Sequence, residues 1–171
     1  MTIHSSHPFE ADDAERDPVR RFRGRVGGSV SLWTAGAGVG RAGLTVTSFL
    51  VAAGEPSRVV VLLHPDADLL DRMEETSTAV VALLSWPHRD LAEVFAGQFP
   101  APGGPFRRDA WEQTDWGPRL VSAPSWLGVR VDPGSRREVG WSVLLEAVVE
   151  HVEVGEELEP LLHRRGRYVR L

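Results

Sequence analysis

Gly38-Val39-Gly40-Arg41-Ala42-Gly43-Leu44-Thr45-Val46-Thr47-Ser48-Phe49 carries two signals that exclude each other. Its first six residues satisfy G-x-G-x-x-G, the pattern that opens a helix over a dinucleotide pyrophosphate. Directly after them, Leu44 to Val51 is rich in β-branched residues and reads as a strand. The motif works only through the free N–H groups of a helix N-terminus, so without a helix it has no phosphate to hold. The dinucleotide-fold reading is therefore refused, and the glycines are read as a flexible hairpin turn between two strands.

Outward from this point the chain is mostly short strands. Ser29 to Thr34, Arg58 to Leu63 and Thr78 to Leu84 are β-rich runs split by Gly- or Pro-containing turns. Two helices interrupt them: Asp66 to Glu75, with Leu69, Leu70 and Met73 at helical spacing, and Arg89 to Phe99, with Leu91, Val94 and Phe95 on one face. Asp66 is expected to cap the first of these. A third helix starts at Asp17-Pro18 and carries Val19, Phe22 and Val26 at helical spacing. Its Arg20, Arg21, Arg23 and Arg25 read as a solvated face rather than a phosphate clamp. Pro100 to Pro105 is a Pro/Gly loop before Trp111 and Trp116, a segment suited to form a lid or to pack on a partner. Leu127 to Val131 and Val139 to Val154 are the last long strands, broken by the turn Asp132-Pro133-Gly134. Alternation places Trp141 inside the second. Pro160 to Leu171 reads as a closing strand. Strands with helices between them and no regular βαβ alternation point to a mainly β fold, a β-barrel with a few helices.

Composition narrows the chemistry. The 171 residues suffice for one domain, read as 18–171 behind a disordered leader over 1–17. That leader is polar and acidic, and no apolar run is long enough to span a bilayer, so neither signal peptide nor anchor is visible and a cytoplasmic protein is expected. His4 and His7 give too few ligands for a metal site, and none is expected elsewhere. The chain has no Cys, and all 19 of its Lys and Arg residues are Arg. Thiol chemistry, Schiff-base lysines and P-loop lysines are thereby excluded. A net charge of −5 argues against nucleic acid as a partner.

Gly43-Leu44-Thr45-Val46-Thr47-Ser48-Phe49 is similar to the G-M/L-T-x-S/N-S-F segment of the flavin reductases that carry FMN on a split barrel. Such a strand presents hydroxyls and backbone N–H groups that can hold a ribityl chain and phosphate without lysine. The rest of the chain resembles that family in order and spacing. Val19 to Val26 and Ser29 to Thr34 match its opening helix and first strand; Thr78 to Ser85 resembles F-A-V-N-V-L-S. His88 to Gly97 resembles the helix ending L-A-x-x-F-A, Gly117 to Leu120 sits at G-x-P-x-L, and Pro160 to Tyr168 is close to P-L-x-Y/H-x-x-G-x-Y.

The resemblance implies an FMN-binding split barrel of Greek-key topology, working as a homodimer. It implies hydride transfer from NADH or NADPH to FMN, with FAD as the alternative flavin, and delivery of reduced flavin to a monooxygenase component. The flavin would carry the chemistry, and the protein would place the rings and exclude water. The flavin-contacting candidates are Thr45, Val46, Thr47, Ser48 and Phe49. Arg41 and Arg89 are the cations offered to the phosphate, or else solvated surface charges. His64 either faces the flavin or is an ordinary surface histidine, and Phe106 either approaches the ring or packs beneath its loop.

The sequence departs from the family at the late strand. Where G-D-H is usual, an ungapped alignment gives Val139-Gly140-Trp141, so Trp141 replaces the His that positions the nicotinamide. Trp141 would then stack on a cofactor ring, block the second substrate, or serve as a core aromatic. After Leu63, the usual small hydroxyl residues are replaced by His64-Pro65-Asp66-Ala67-Asp68, and the Asn of F-A-V-N is Val81. These losses leave two alternatives open: a non-catalytic flavin-binding or flavin-storage protein, and a degenerate barrel acting as an interaction module.

Overall fold

The computed structural model describes residues 17–171. The leader reading and the two histidines His4 and His7 thus lie outside the described residues, Asp17 excepted. The chain runs α1 (Pro18–Val26), β1 (Gly28–Ser29), β2 (Ser31–Ala35), β3 (Ala42–Val46), β4 (Phe49–Ala52), β5 (Arg58–Leu63), α2 (Asp68–Thr76), β6 (Thr78–Leu83), α3 (Arg89–Phe95), β7 (Trp111–Thr114), β8 (Gly117–Leu120), β9 (Trp126–Val139), β10 (Ser142–Glu153), β11 (Leu162–Arg164) and β12 (Arg167–Val169).

Seven strands form one curled antiparallel sheet, ordered β3-β2-β6-β9-β10-β5-β4, as the mainly β reading required. Its concave side is filled by Trp33, Val46, Val59, Val61, Leu63, Val81, Val129, Val143 and Leu145, and α2 closes it with Leu69, Leu70 and Met73. The opposite side of β2 and β6 buries Leu32, Val80 and Ala82 against Leu91, Val94 and Phe95 of α3 and against Leu120 and Leu161. Strands β2 and β6 are therefore covered on both faces, and every residue of β2 and all of β6 but Leu83 is buried. The helix spacings of Leu69, Leu70 and Met73 and of Leu91, Val94 and Phe95 describe their buried faces correctly.

Several boundaries differ from expectation. Leu44 to Val51 is not one strand: Thr47-Ser48 breaks it, and the chain turns onto β5, where Leu62 N–H donates to Ser48 O and Ser48 Oγ donates to Leu62 O. Asp132-Pro133-Gly134 does not end β9. Asp132 Oδ1 accepts the Gly134 N–H, Ser135 Oγ donates to Asp132 O and accepts the Glu146 N–H, and the strand resumes with Arg137 opposite Leu144. The segment is thus a bulge within a ladder. The true hairpin turn is Gly140-Trp141, with Gly140 at φ +58°, so Trp141 lies on no strand and is 94% exposed rather than a core aromatic.

Asp66 does not cap α2; the helix begins at Asp68, and the Asp66 N–H donates to His64 Nδ1. Helix α3 stops at Phe95, short of Phe99, before Gly97 at φ +73°. Trp111 and Trp116 belong to the β7–β8 hairpin. Trp111 packs edge-on against Phe95 and Phe106, while Trp116 meets Trp126 edge-on and stacks on His151. The closing segment is a hairpin, not a single strand: β11 pairs with β12 and with β1 in a separate small sheet.

The refused G-x-G-x-x-G opens no helix. Gly38–Gly40 is one short 3₁₀ turn between the antiparallel strands β2 and β3. Asp17 accepts the Val19 N–H and Pro18 starts α1, as the capping pattern required.

Candidate functional site

The break at Thr47-Ser48 opens a recess beside the edge strand β4. One wall is Val26, Gly27, Gly28 and Ser29, where α1 passes into β1; the other is Thr47, Ser48, Phe49, Leu50 and Val51. Alternation along β5 points Val59 and Leu63 into the core and leaves Val60 and Leu62, with Leu144, against the recess. Its volume is about 590 Å³, within the range of small-molecule sites. Most of its lining is apolar, and Leu50 and Val51 are left exposed.

Within the recess the polar groups differ in availability. Ser48 Oγ is committed to Leu62 O at 2.7 Å, whereas the Thr47 hydroxyl is exposed and has no hydrogen-bond partner among the described residues. Gly28 passes so close to the break that a Cβ there would stand 3.5 Å from Thr47 O. Phe49 is half-buried and meets Trp33 edge-on at 6.3 Å. A hydroxyl and bare backbone at one end of an apolar slot fit a planar ring carrying a polar chain.

Of the five candidates in the quoted stretch, then, Thr47, Ser48 and Phe49 border the recess. Thr45 and Val46 do not: Thr45 Oγ1 donates to Ala92 O, tying β3 to α3, and Val46 is in the core. The remaining candidates lie in four other places. Arg41 donates to Gly38 O and lies 4.6 Å over the Phe106 ring, in a shallow cleft shared with Arg72 and three carboxylates, Asp68, Asp71 and Glu75. Arg89 sits over Trp86, bonded to Trp86 O and 3.8 Å from Asp90. His64 stands exposed at the end of β5, 3.8 Å from Asp66. Trp141 projects from the hairpin tip and borders none of these. Missed from the sequence were Gly27, Gly28 and Ser29; the one signal for them was a pair of glycines directly before the first strand.

Burial shifts two titratable side chains, His88 and Tyr168. Burial holds the His88 imidazole below its ordinary pKa, partly opposed by Asp109. Its Nδ1 accepts the Ser85 N–H at 3.0 Å, so Nε2 carries the proton and donates to Ser122 Oγ, which donates in turn to Asp109 Oδ2. Burial, with Glu93 nearby, pushes the Tyr168 hydroxyl up to about 12.

This arrangement of curled sheet, open recess and closing hairpin has known counterparts. The model of the flavin reductase like domain matches residues 23–171. The chain belongs to the flavin reductase like family. It is 28% identical over 156 residues to "FMN reductase (NADH) RutF 2" of Methylorubrum extorquens, covering 89% of this chain and 87% of that protein. It is 25% identical over 100 residues to "FMN reductase (NADH) RutF" of Serratia proteamaculans, a match spanning 58% of this chain and 57% of that protein's length. Among solved structures, the NADH:FAD oxidoreductase SgcE6 of Streptomyces globisporus C-1027 superposes with a TM-score of 0.80 at 24% identity, covering 95% of this chain and 96% of that one. That protein is also solved in complex with NAD and FAD fragments.

Proposed function

We propose that this family member binds flavin in the recess between α1 and β4 and transfers to it a hydride from NADH or NADPH. The observation that carries the reading is the recess itself, bordered by the family-like Thr47-Ser48-Phe49 segment in a chain whose family match runs from residue 23 to 171. Both FMN and FAD fit the reading: the curated relatives are named for FMN, and the superposed oxidoreductase for FAD. When bound, the flavin supplies the redox chemistry. The chain's part is placement: Leu50, Val51 and Val60 offer an apolar surface to a ring, and Thr47 offers a hydroxyl to its polar substituents.

The recess is open on a single chain, and exposed Leu50 and Val51 are suited to be covered by a second copy. We accordingly read residues 18–171 as one domain working as a homodimer in the cytoplasm and handing reduced flavin to a monooxygenase component. No helix among the described residues is long and apolar enough to cross a membrane.

A second reading, a flavin holder without turnover, is favoured by Trp141 standing where the resemblance puts the nicotinamide-positioning His. Flavin titration followed by fluorescence, then steady-state NADH and NADPH oxidation with FMN and with FAD, separates them. Saturable binding with turnover supports the reductase. Binding without turnover with either nucleotide leaves the holder, and no binding leaves an interaction module.

A further inference from the structure

Although the chain carries a net charge of −5, seven arginines gather at one end of the fold: Arg20, Arg21, Arg23 and Arg25 on α1, and Arg164, Arg165 and Arg167 on the β11–β12 hairpin. Between helix and hairpin runs a cleft of about 220 Å³, lined by Arg20, Arg21, Arg23, Arg25, His163 and Arg165 together with two glycines. No carboxylate lines it among the described residues. Hydrogen bonds tie the helix to the hairpin here. Arg165 N–H donates to Gly24 O at 2.7 Å, and Arg164 Nε donates to Arg25 O at 3.3 Å.

A separate observation points to a ligand. Arg21 Nε is buried and has no hydrogen-bond partner among the described residues. A buried guanidinium N–H without an acceptor is costly unless an acceptor arrives. The chain also runs directly from this cleft into the recess: Gly24 and Arg25 line the one, and Val26 to Ser29 the other.

We propose that the cleft between α1 and the β11–β12 hairpin is a phosphate subsite that takes the phosphate or pyrophosphate group of a ligand, beside but separate from the ring-binding recess. Guanidinium groups suit this because they bind phosphate oxygens in bidentate fashion and stay charged at any working pH. The arginines of α1, which look like a solvated face in sequence, become one wall of a site only when the C-terminal hairpin folds against them.

The test is calorimetric titration of the full-length protein with inorganic pyrophosphate, in the absence of flavin and nicotinamide nucleotide. Failure of the flavin-reductase reading therefore does not affect its outcome. Saturable binding at one site per chain is expected, weakened roughly ten- to a hundredfold in Arg21→Gln and in Arg23→Gln, each checked for an unchanged circular dichroism spectrum. Arg137→Gln, on the β9–β10 hairpin, removes the same charge and is expected to leave affinity within twofold. Displacement by ADP would assign the group to a nucleotide, and displacement by inorganic phosphate alone to free phosphate; either supports the subsite. Absence of saturable binding, or equal weakening in Arg137→Gln, overturns it.

Discussion

The three glycines of Gly38-Val39-Gly40-Arg41-Ala42-Gly43 give a direct test of why the motif is present. If they served a dinucleotide, replacing any of them would lower nucleotide affinity and leave stability nearly untouched. The structure assigns them three different roles. At Gly43 an added Cβ would stand 2.6 Å from Phe95 Cε1, 2.9 Å from Phe95 Cδ1 and 3.3 Å from Phe106 Cζ. Phe95 cannot swing aside freely, since it is buried and meets Phe106 and Trp111 edge-on with centroids 5.1 and 5.6 Å away. Gly43→Ala is therefore overpacking and is expected to cost about 2–3 kcal/mol. At Gly38, φ is +55° and nothing lies within 4 Å, so Gly38→Ala meets only the left-handed backbone penalty, about 1 kcal/mol after the gain from a stiffer unfolded chain. At Gly40 the nearest atoms, on Arg72, are at 3.5 Å, an ordinary contact, and Gly40→Ala is expected to be neutral within about 0.5 kcal/mol. Urea unfolding reads the series directly, and the melting temperature should fall by roughly 2–4 °C per kcal/mol. Phe95→Leu in the Gly43→Ala background should recover part of the loss, because the two changes share one contact. A Gly43→Ala protein as stable as the parent but deficient in nucleotide binding would refute the packing argument and reopen the dinucleotide reading.

The hydroxyls of the quoted stretch should separate cleanly: Thr47→Val is expected to weaken flavin binding about two- to tenfold at unchanged stability, while Thr45→Val, which loses the bond to Ala92 O, should cost about 1 kcal/mol of stability and spare flavin affinity. His88 is held neutral in the fold, so the unfolded chain takes up the proton first as pH falls. Its contribution is fully present above the ordinary histidine pKa of 6.5 and is lost progressively below it. The urea midpoint of the parent minus that of His88→Gln should thus be flat above pH 7 and shrink on acidification; a difference independent of pH would refute this. Tyr168 is the chain's one tyrosine, so absorbance near 295 nm should show no phenolate until the pH approaches about 12. Titration with a midpoint near 10 would mean the hydroxyl is solvated.

The sequence alone determined the class of fold and the faces of its elements. The β-branched run after Gly43 ruled out a helix there, and spacing marked Leu69, Leu70 and Met73, and Leu91, Val94 and Phe95, as buried. Those properties are set by local backbone preference and by period, which are written along the chain. Where strands stop was less legible. Asp132-Pro133-Gly134 has strong turn chemistry, yet Ser135 and Glu146 hold it inside a ladder, and Trp141, in phase with a strand, sits on a hairpin turn. A bulge and a turn share the same local chemistry, and only the partner strand decides between them. The assembly of sites was decided by tertiary structure alone. Thr47 and Ser48 gain their significance from Gly27 and Gly28 across the recess, about twenty residues earlier in the chain. Arg21 gains its own from Arg165, at the far end of the chain. Arg41, His64 and Arg89, similar to these in sequence, are carried to other surfaces. Proximity between distant segments follows from strand order and from which faces bury against each other, and no local pattern encodes either.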